Sequence, residues 1–182
     1  MFGGSVWVVS WLLNSQTVDG NRTVFGLTEG NYRAILNPTL FLIALGLFGL
    51  YQVHKPHLNS WGVIGFWITG LSLTAWLVGN ILEFGLLGVY WLPDIGWPIL
   101  ILASITMSAG LVLIGIAFLK AKRLVAWSRS LPVVMGLLVV AGSFITPRIF
   151  AFTFGIGWLL LGDGLWASET RRAGQPVQQS TK

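Results

Sequence analysis

Asn80 and Glu83 stand three residues apart in an apolar stretch, Asp163 interrupts the run GWLLLGDGLW (residues 157–166), and His54 and His57 flank Lys55-Pro56. Carboxylates and amides held away from water can bind a cation or pass a proton, and membrane-embedded ionisable groups are functional candidates for that reason. An imidazole can move a proton or ligate the metal of a tetrapyrrole. What each residue does depends on its depth, and depth depends on the elements that carry it.

Those elements are apolar helices. Of 182 residues, 54% are hydrophobic and 9% charged, and mean hydropathy is +0.76, far from the roughly 25% charged residues of a soluble domain. The apolar runs cover residues 2–14, 38–54, 61 to about 86, 98–119, 131–146 and 149–167. Pro38, Pro98 and Pro132 are expected in first helical turns, where a missing N–H costs little, and Pro147 in a tight link between the last two runs. The expected fold is all-α: a polytopic integral membrane bundle of five to six transmembrane helices with short loops. Residues 1–172 would form one transmembrane domain and 173–182 a polar tail. The first run, 13 residues, is about 20 Å long against a hydrocarbon core of about 30 Å, which is why the count is five to six. It lacks a basic flank and a cleavage site, so a retained helix is expected rather than a signal peptide.

Basic residues orient the bundle. Lys120, Lys122, Arg123 and Arg129 mark one loop as cytoplasmic, and alternation adds Lys55, Arg171, Arg172 and Lys182 to that side, leaving Arg22, Arg33 and Arg148 outside. This predicts a multi-pass protein of the plasma (inner) membrane with both termini cytoplasmic. The triplet Asn21-Arg22-Thr23 has the form of a glycosylation sequon and, without a sign of a secretory route, is taken as chance.

Depth can now be assigned. Glu83 lies 22 residues beyond Trp61, about 33 Å along a straight helix, and so near the outer surface, with Asn80 on the same face. The glycine- and proline-bearing stretch that follows, EFGLLGVYWLPDIGWP, would cover the pair as a lid over a small polar pocket. An edge carboxylate touching water is the simpler reading. Asp163 sits roughly one turn inside Trp166, shallow enough to act as an interfacial anchor, with a ligand or proton site as the rival use. Gly162 and Gly164 beside it would let a neighbour approach closely.

The histidines are weak cofactor ligands. A proline separates them, and with no cysteine in the chain and no carboxylate nearby they make a poor metal site, so no metal is expected. Trp67, Trp76 and Trp158 fall deep in their runs and either pack on glycines or stack on a pigment, quinone or lipid tail; the cofactor is left unknown. Ser72 and Thr74, with Ser104, Thr106, Ser108 and Gly110, give two helices small polar seams suited to close contact. The placement of Gly110 matches that of Gly157, Gly115 that of Gly162, Gly65 that of Gly136 and Ser72 that of Ser143, which hints at repeated hairpins.

Phosphate loops, H-E-x-x-H, G-x-S-x-G and basic–aromatic nucleic-acid patterns do not occur in the sequence. No catalytic residue is assigned and an enzyme is the less favoured class. The expected function is that of a non-enzymatic accessory or assembly subunit of a larger membrane complex, in contact with lipid and with other subunits or copies of itself, and not with nucleic acid. A small transporter or channel using Glu83, Asn80 and Asp163 is the alternative. A lipid- or isoprenoid-modifying enzyme using His54, His57 and Asp163 is the third.

Overall fold

The computed structural model describes residues 4–6, 8, 9, 29–84, 92–122, 126–145 and 147–173. Among these the chain is helical, with no strand: α1 is Glu29–His54, α2 Ser60–Phe84, α3 Pro93–Ala121, α4 Leu131–Ile145 and α5 Pro147–Ala173, with 3₁₀ turns at Lys55–His57 and Ala126–Ser128. The all-α expectation holds. Two helices, Ser60–Glu83 with mean hydropathy 1.5 and Asp94–Ala121 with 2.5, are long and apolar enough to cross a membrane by length and composition. The 15 residues of α4 reach about 22 Å. Most of residues 2–14, the loop from 15 to 28 with its sequon, and the tail from 174 lie outside the described residues.

Two prolines are not where their type suggests. Pro38 and Pro98 lie inside α1 and α3, because both helices begin upstream of the apolar run, α1 through the polar EGNYRAILN. Each proline leaves one helix carbonyl without its usual N–H. Pro132 keeps its first-turn place in α4, and Pro147 opens α5 directly after the link.

The bundle is built on the α2–α3 hairpin. On α2, Gly62, Gly65, Thr69, Ser72, Trp76 and Gly79 are all buried and alternate in steps of three and four, the spacing that keeps a seam facing a partner at a shallow crossing angle. On α3 the matching buried set is Gly96, Leu100, Ala103, Met107, Gly110, Ile114 and Ala117. Glycines let the backbones meet: a β-carbon on Gly65 would lie 2.8 Å from the Gly110 carbonyl oxygen and 2.9 Å from the Ile114 nitrogen. Hydrogen bonds tie the seam midway, Ser72 Oγ with Thr106 Oγ1 at 2.8 Å and Trp76 Nε1 donating to Ser104 Oγ at 3.0 Å. Ser108 turns the other way and donates to the Gly136 carbonyl on α4 at 2.5 Å. Thr74 is not part of the seam; its side chain is exposed and donates back to Gly70 O at 3.0 Å.

The remaining contacts between successive helices run in chain order, and the short N-terminal helical segment packs on α5. Gly115 sits against the backbone of Val133, Gly157 against Met135, and Gly4 against Gly155 O and Leu159. The two hairpins therefore use their glycines differently, since Gly65 meets Gly110 while Gly136 faces α3 and Gly157 meets a methionine side chain. Between α3 and α4 the chain reverses at Lys122, whose φ of 51° is left-handed and whose N–H caps Phe118 O. Such a conformation costs a non-glycine residue about 1 kcal/mol, and the Arg129 guanidinium donates to Lys122 O at 3.2 Å across the turn.

Candidate functional site

The polar residues collect at two opposite ends of the bundle. At the end where α2 meets the start of α3, Asn80 is 1% exposed and its Nδ2 donates to Asn37 Oδ1 of α1 at 2.6 Å. The Asn37 Nδ2 is buried and meets no acceptor among the described residues. Glu83, one turn on, is half-buried, and the Gly96 backbone lies against its Cβ and N. The Leu92 N–H donates to Leu82 O at 2.7 Å, which holds the start of α3 against the end of α2; residues 85–91, expected to form a lid, lie outside the described residues.

Asn37 was not singled out by its sequence context. It directly precedes Pro38, which reads as a helix start, whereas the helix passes straight through and points Asn37 at α2. The corner thus brings Asn37 of α1 to Asn80 and Glu83 of α2, with Gly96 of α3 packed on Glu83. Its arrangement is that of an interhelical clamp: one amide donates to another, and a carboxylate stands beside them near the end of the helix. Replacing Asn80 with Leu is expected to destabilise the bundle by about 1–2 kcal/mol, since Asn37 would keep a buried carbonyl with no donor. The double replacement with Asn37→Leu should cost less than the two singles added, and equilibrium unfolding of the four proteins in detergent measures that coupling.

The opposite end carries the bases. His54 is 2% exposed; its Nδ1 lies 3.1 Å from Leu50 O and its ring stands edge-on to Phe118, with centroids 5.1 Å apart. This contact brings the ends of α1 and α3 together, and with them Lys55, Lys120, Lys122 and Arg129. His57 is exposed, because the 3₁₀ turn containing Pro56 rotates it away from His54. The two imidazoles do not converge. Asp163 belongs to this end as well, through Gly164, which packs on Ser128 of the 3₁₀ turn. Its own side chain is exposed, and α3 separates it from Asn80 and Glu83 along its whole length. Among the described residues no three His, Cys, Asp or Glu side chains gather closely enough to hold a metal ion.

The three deep tryptophans separate into different environments. Trp76 is bound into the seam by Ser104. Trp158 is buried and edge-on to Phe154 at 6.0 Å, with its indole N–H meeting no acceptor among the described residues. Trp67 is 59% exposed and forms one wall of a crevice of about 260 Å³ between α1 and α2, together with Phe48, Tyr51, Phe66, Gly70 and Thr74. The helical pattern marks Trp67 only as a residue deep in its run. No protein family, curated protein or solved structure matches the chain. The geometry therefore has to carry the functional reading alone.

What it offers chemically is limited in kind. The hydroxyls of Thr69, Ser72, Ser104 and Ser108 are each hydrogen-bonded to a helix carbonyl, so none is held against a base as an activated nucleophile would be. The acids and histidines stand at separate ends or face apart.

Proposed function

We propose that this chain is a multi-pass protein of the plasma (inner) membrane, with five to six spans and both termini cytoplasmic, that serves as a non-enzymatic accessory or assembly subunit of a larger membrane complex. The observation that carries the reading is an inside-out distribution of polarity. The buried hydroxyls and the Trp76 indole are engaged in bonds within and between helices, while large apolar side chains such as Phe41, Leu45, Phe48, Leu71, Leu102, Ile105 and Leu137 face outward. Soluble monomers rarely expose apolar surface of that extent.

The orientation rests on charge. Lys55, Lys120, Lys122 and Arg129 share one end of the bundle, and a surplus of lysine and arginine is the mark of a cytoplasmic face. The subunit role rests on α1, which packs mainly on α2 and turns Gly46 and Gly49 outward with nothing near either. An outward helical glycine costs about 1 kcal/mol relative to alanine, and close approach by a helix from another chain offsets that cost. A transporter would need polar groups converging near the midplane, whereas Asn80 and Glu83 lie toward one end and Asp163 toward the other.

Extraction of the native membrane in mild detergent, followed by mass spectrometry and an absorption spectrum of the same sample, tests this. The expected result is one or more partners recovered in fixed ratio with the chain. A lone, colourless protein from intact membranes overturns the subunit reading, and release by alkaline carbonate overturns the membrane reading itself.

A further inference from the structure

We propose that the crevice between α1 and α2 holds one hydrocarbon chain of an anionic glycerophospholipid, whose phosphate sits at Lys55. The proposal rests on the membrane reading above and adds a ligand to it. Three glycines have nothing within 4 Å of where a β-carbon would be: Gly46, Gly49 and Gly70. Of these only Gly70 lies in a concave place. It lines the crevice with Ala44, between walls made by Phe48, Tyr51, Phe66 and Trp67. Gly62, Gly65, Gly79 and Gly110, on the other face of the same hairpin, are all filled by neighbouring helix atoms, so the opening at Gly70 is not a general looseness of α2.

The lining is dry. The lining has two hydroxyls, those of Tyr51 and Thr74; the Thr74 donor is already committed to Gly70 O, which leaves its methyl group for contact. A volume of about 260 Å³ corresponds to about nine water-sized groups at about 30 Å³ each, the bulk of part of one acyl chain. From Ala44 to Tyr51 the crevice follows the helix for about 10 Å, along the direction in which a lipid chain would lie.

The charge at its end fixes the ligand class. Lys55 Nζ stands 5.8 Å from the centroid of the Tyr51 ring, and Tyr51 forms the end of the crevice nearest the basic face. Its rings are set by Phe66 at 5.4 Å and Trp67 at 6.4 Å, which holds the aromatic wall in place. A lysine at the membrane surface beside an apolar slot complements a molecule with a negative head and an apolar tail. A quinone or a free isoprenoid has the tail and lacks the charge, and a partner helix has no reason to end at Lys55.

Native mass spectrometry of the full chain in neutral detergent, titrated separately with phosphatidylglycerol and phosphatidylcholine of identical acyl chains, is the test. The expected result is a single bound phosphatidylglycerol, about fivefold tighter than phosphatidylcholine, as one basic residue near a phosphate provides. Gly70→Leu places its β-carbon in open space and its branched end in the slot, and should abolish both adducts, while circular dichroism shows the helices intact. Lys55→Gln, at an exposed position where the Tyr51 ring is still held by Phe66 and Trp67, should leave chain binding and remove the preference. Equal binding of the two lipids by the native chain, unchanged binding by Gly70→Leu, or displacement of the lipid by ubiquinone at equal concentration would each overturn the proposal. Resistance of the chain to carbonate extraction is measured on the same preparation, so that failure of the lipid site is distinguishable from failure of the membrane reading.

Discussion

Gly65→Leu should leave the bundle unable to close, with a loss of about 3 kcal/mol or more, at or above the upper end of ordinary overpacking costs. The reason is what its side chain would meet. A β-carbon at Gly65 falls 2.8 Å from the Gly110 carbonyl oxygen and 2.9 Å from the Ile114 nitrogen, and these are backbone atoms that cannot swing aside as a side-chain tip can. The two helices must separate, and separation stretches the Ser72–Thr106 and Trp76–Ser104 bonds farther along the seam. Gly49→Leu provides the contrast, because its site is empty; it should leave folding unchanged or gain up to about 1 kcal/mol from helix propensity. Denaturation by sodium dodecyl sulfate, followed by circular dichroism, separates the two. If Gly65→Leu unfolds together with the native chain, the close register of α2 and α3 is wrong.

The second large effect is expected at Phe118. This ring is fully buried at 0% exposure and stands edge-on to both His54, at 5.1 Å, and Phe66, at 6.0 Å, so it joins α1, α2 and α3 at the basic end. For a bundle in lipid, as proposed above, the transfer part of a core truncation nearly vanishes, since the separated helices are also solvated by hydrocarbon. The cavity and the lost ring contacts remain. Phe118→Ala is therefore expected to cost about 2–3 kcal/mol, part of the 3–5 kcal/mol typical of Phe→Ala in water-soluble cores. Phe41→Ala, on an outward face at 57% exposure, should stay within about 0.5 kcal/mol. Equal losses for the two would mean that the outward face is packed against something in the folded protein.

The all-α class of the fold was legible from hydropathy, and so were some helix ends: the run expected to stop at residue 54 stops at His54, and the one expected to begin at 131 begins at Leu131. The starts of α1 and α3 were not. Hydropathy reports which residues prefer lipid, and the polar turns EGNYRAILN and the glycine- and proline-bearing PDIGWP are helical without being apolar. That error concealed Asn37, which looked like a residue ahead of a helix and is in fact the partner of Asn80. The seam was legible in kind, through Ser72, Ser104 and Thr106, yet Thr74 faces away from it because period alone does not say which stripe of an all-apolar helix meets its neighbour. Counting residues from Trp61 puts Asn80 and Glu83 near the end of α2, and their distance from Asp163 follows from the same count. The crevice had no signature at all. It depends on a missing side chain at Gly70 lying opposite Ala44, and only the pairing of two helices makes that visible.

The uneven spacing of the glycines also has a mechanical side. Where backbone rests on backbone, at Gly65 with Gly110 and at Gly79 with Gly96, sliding or bending by even about half an ångström meets hard repulsion, so α2 and α3 behave as a single stiff spine. Between α1 and α2 the surfaces are kept apart by rings and an unfilled slot, and that is the compliant joint of the molecule. Any strain delivered to this chain by a neighbour will therefore be taken up by movement of α1, and whatever occupies the joint sets how far it can move.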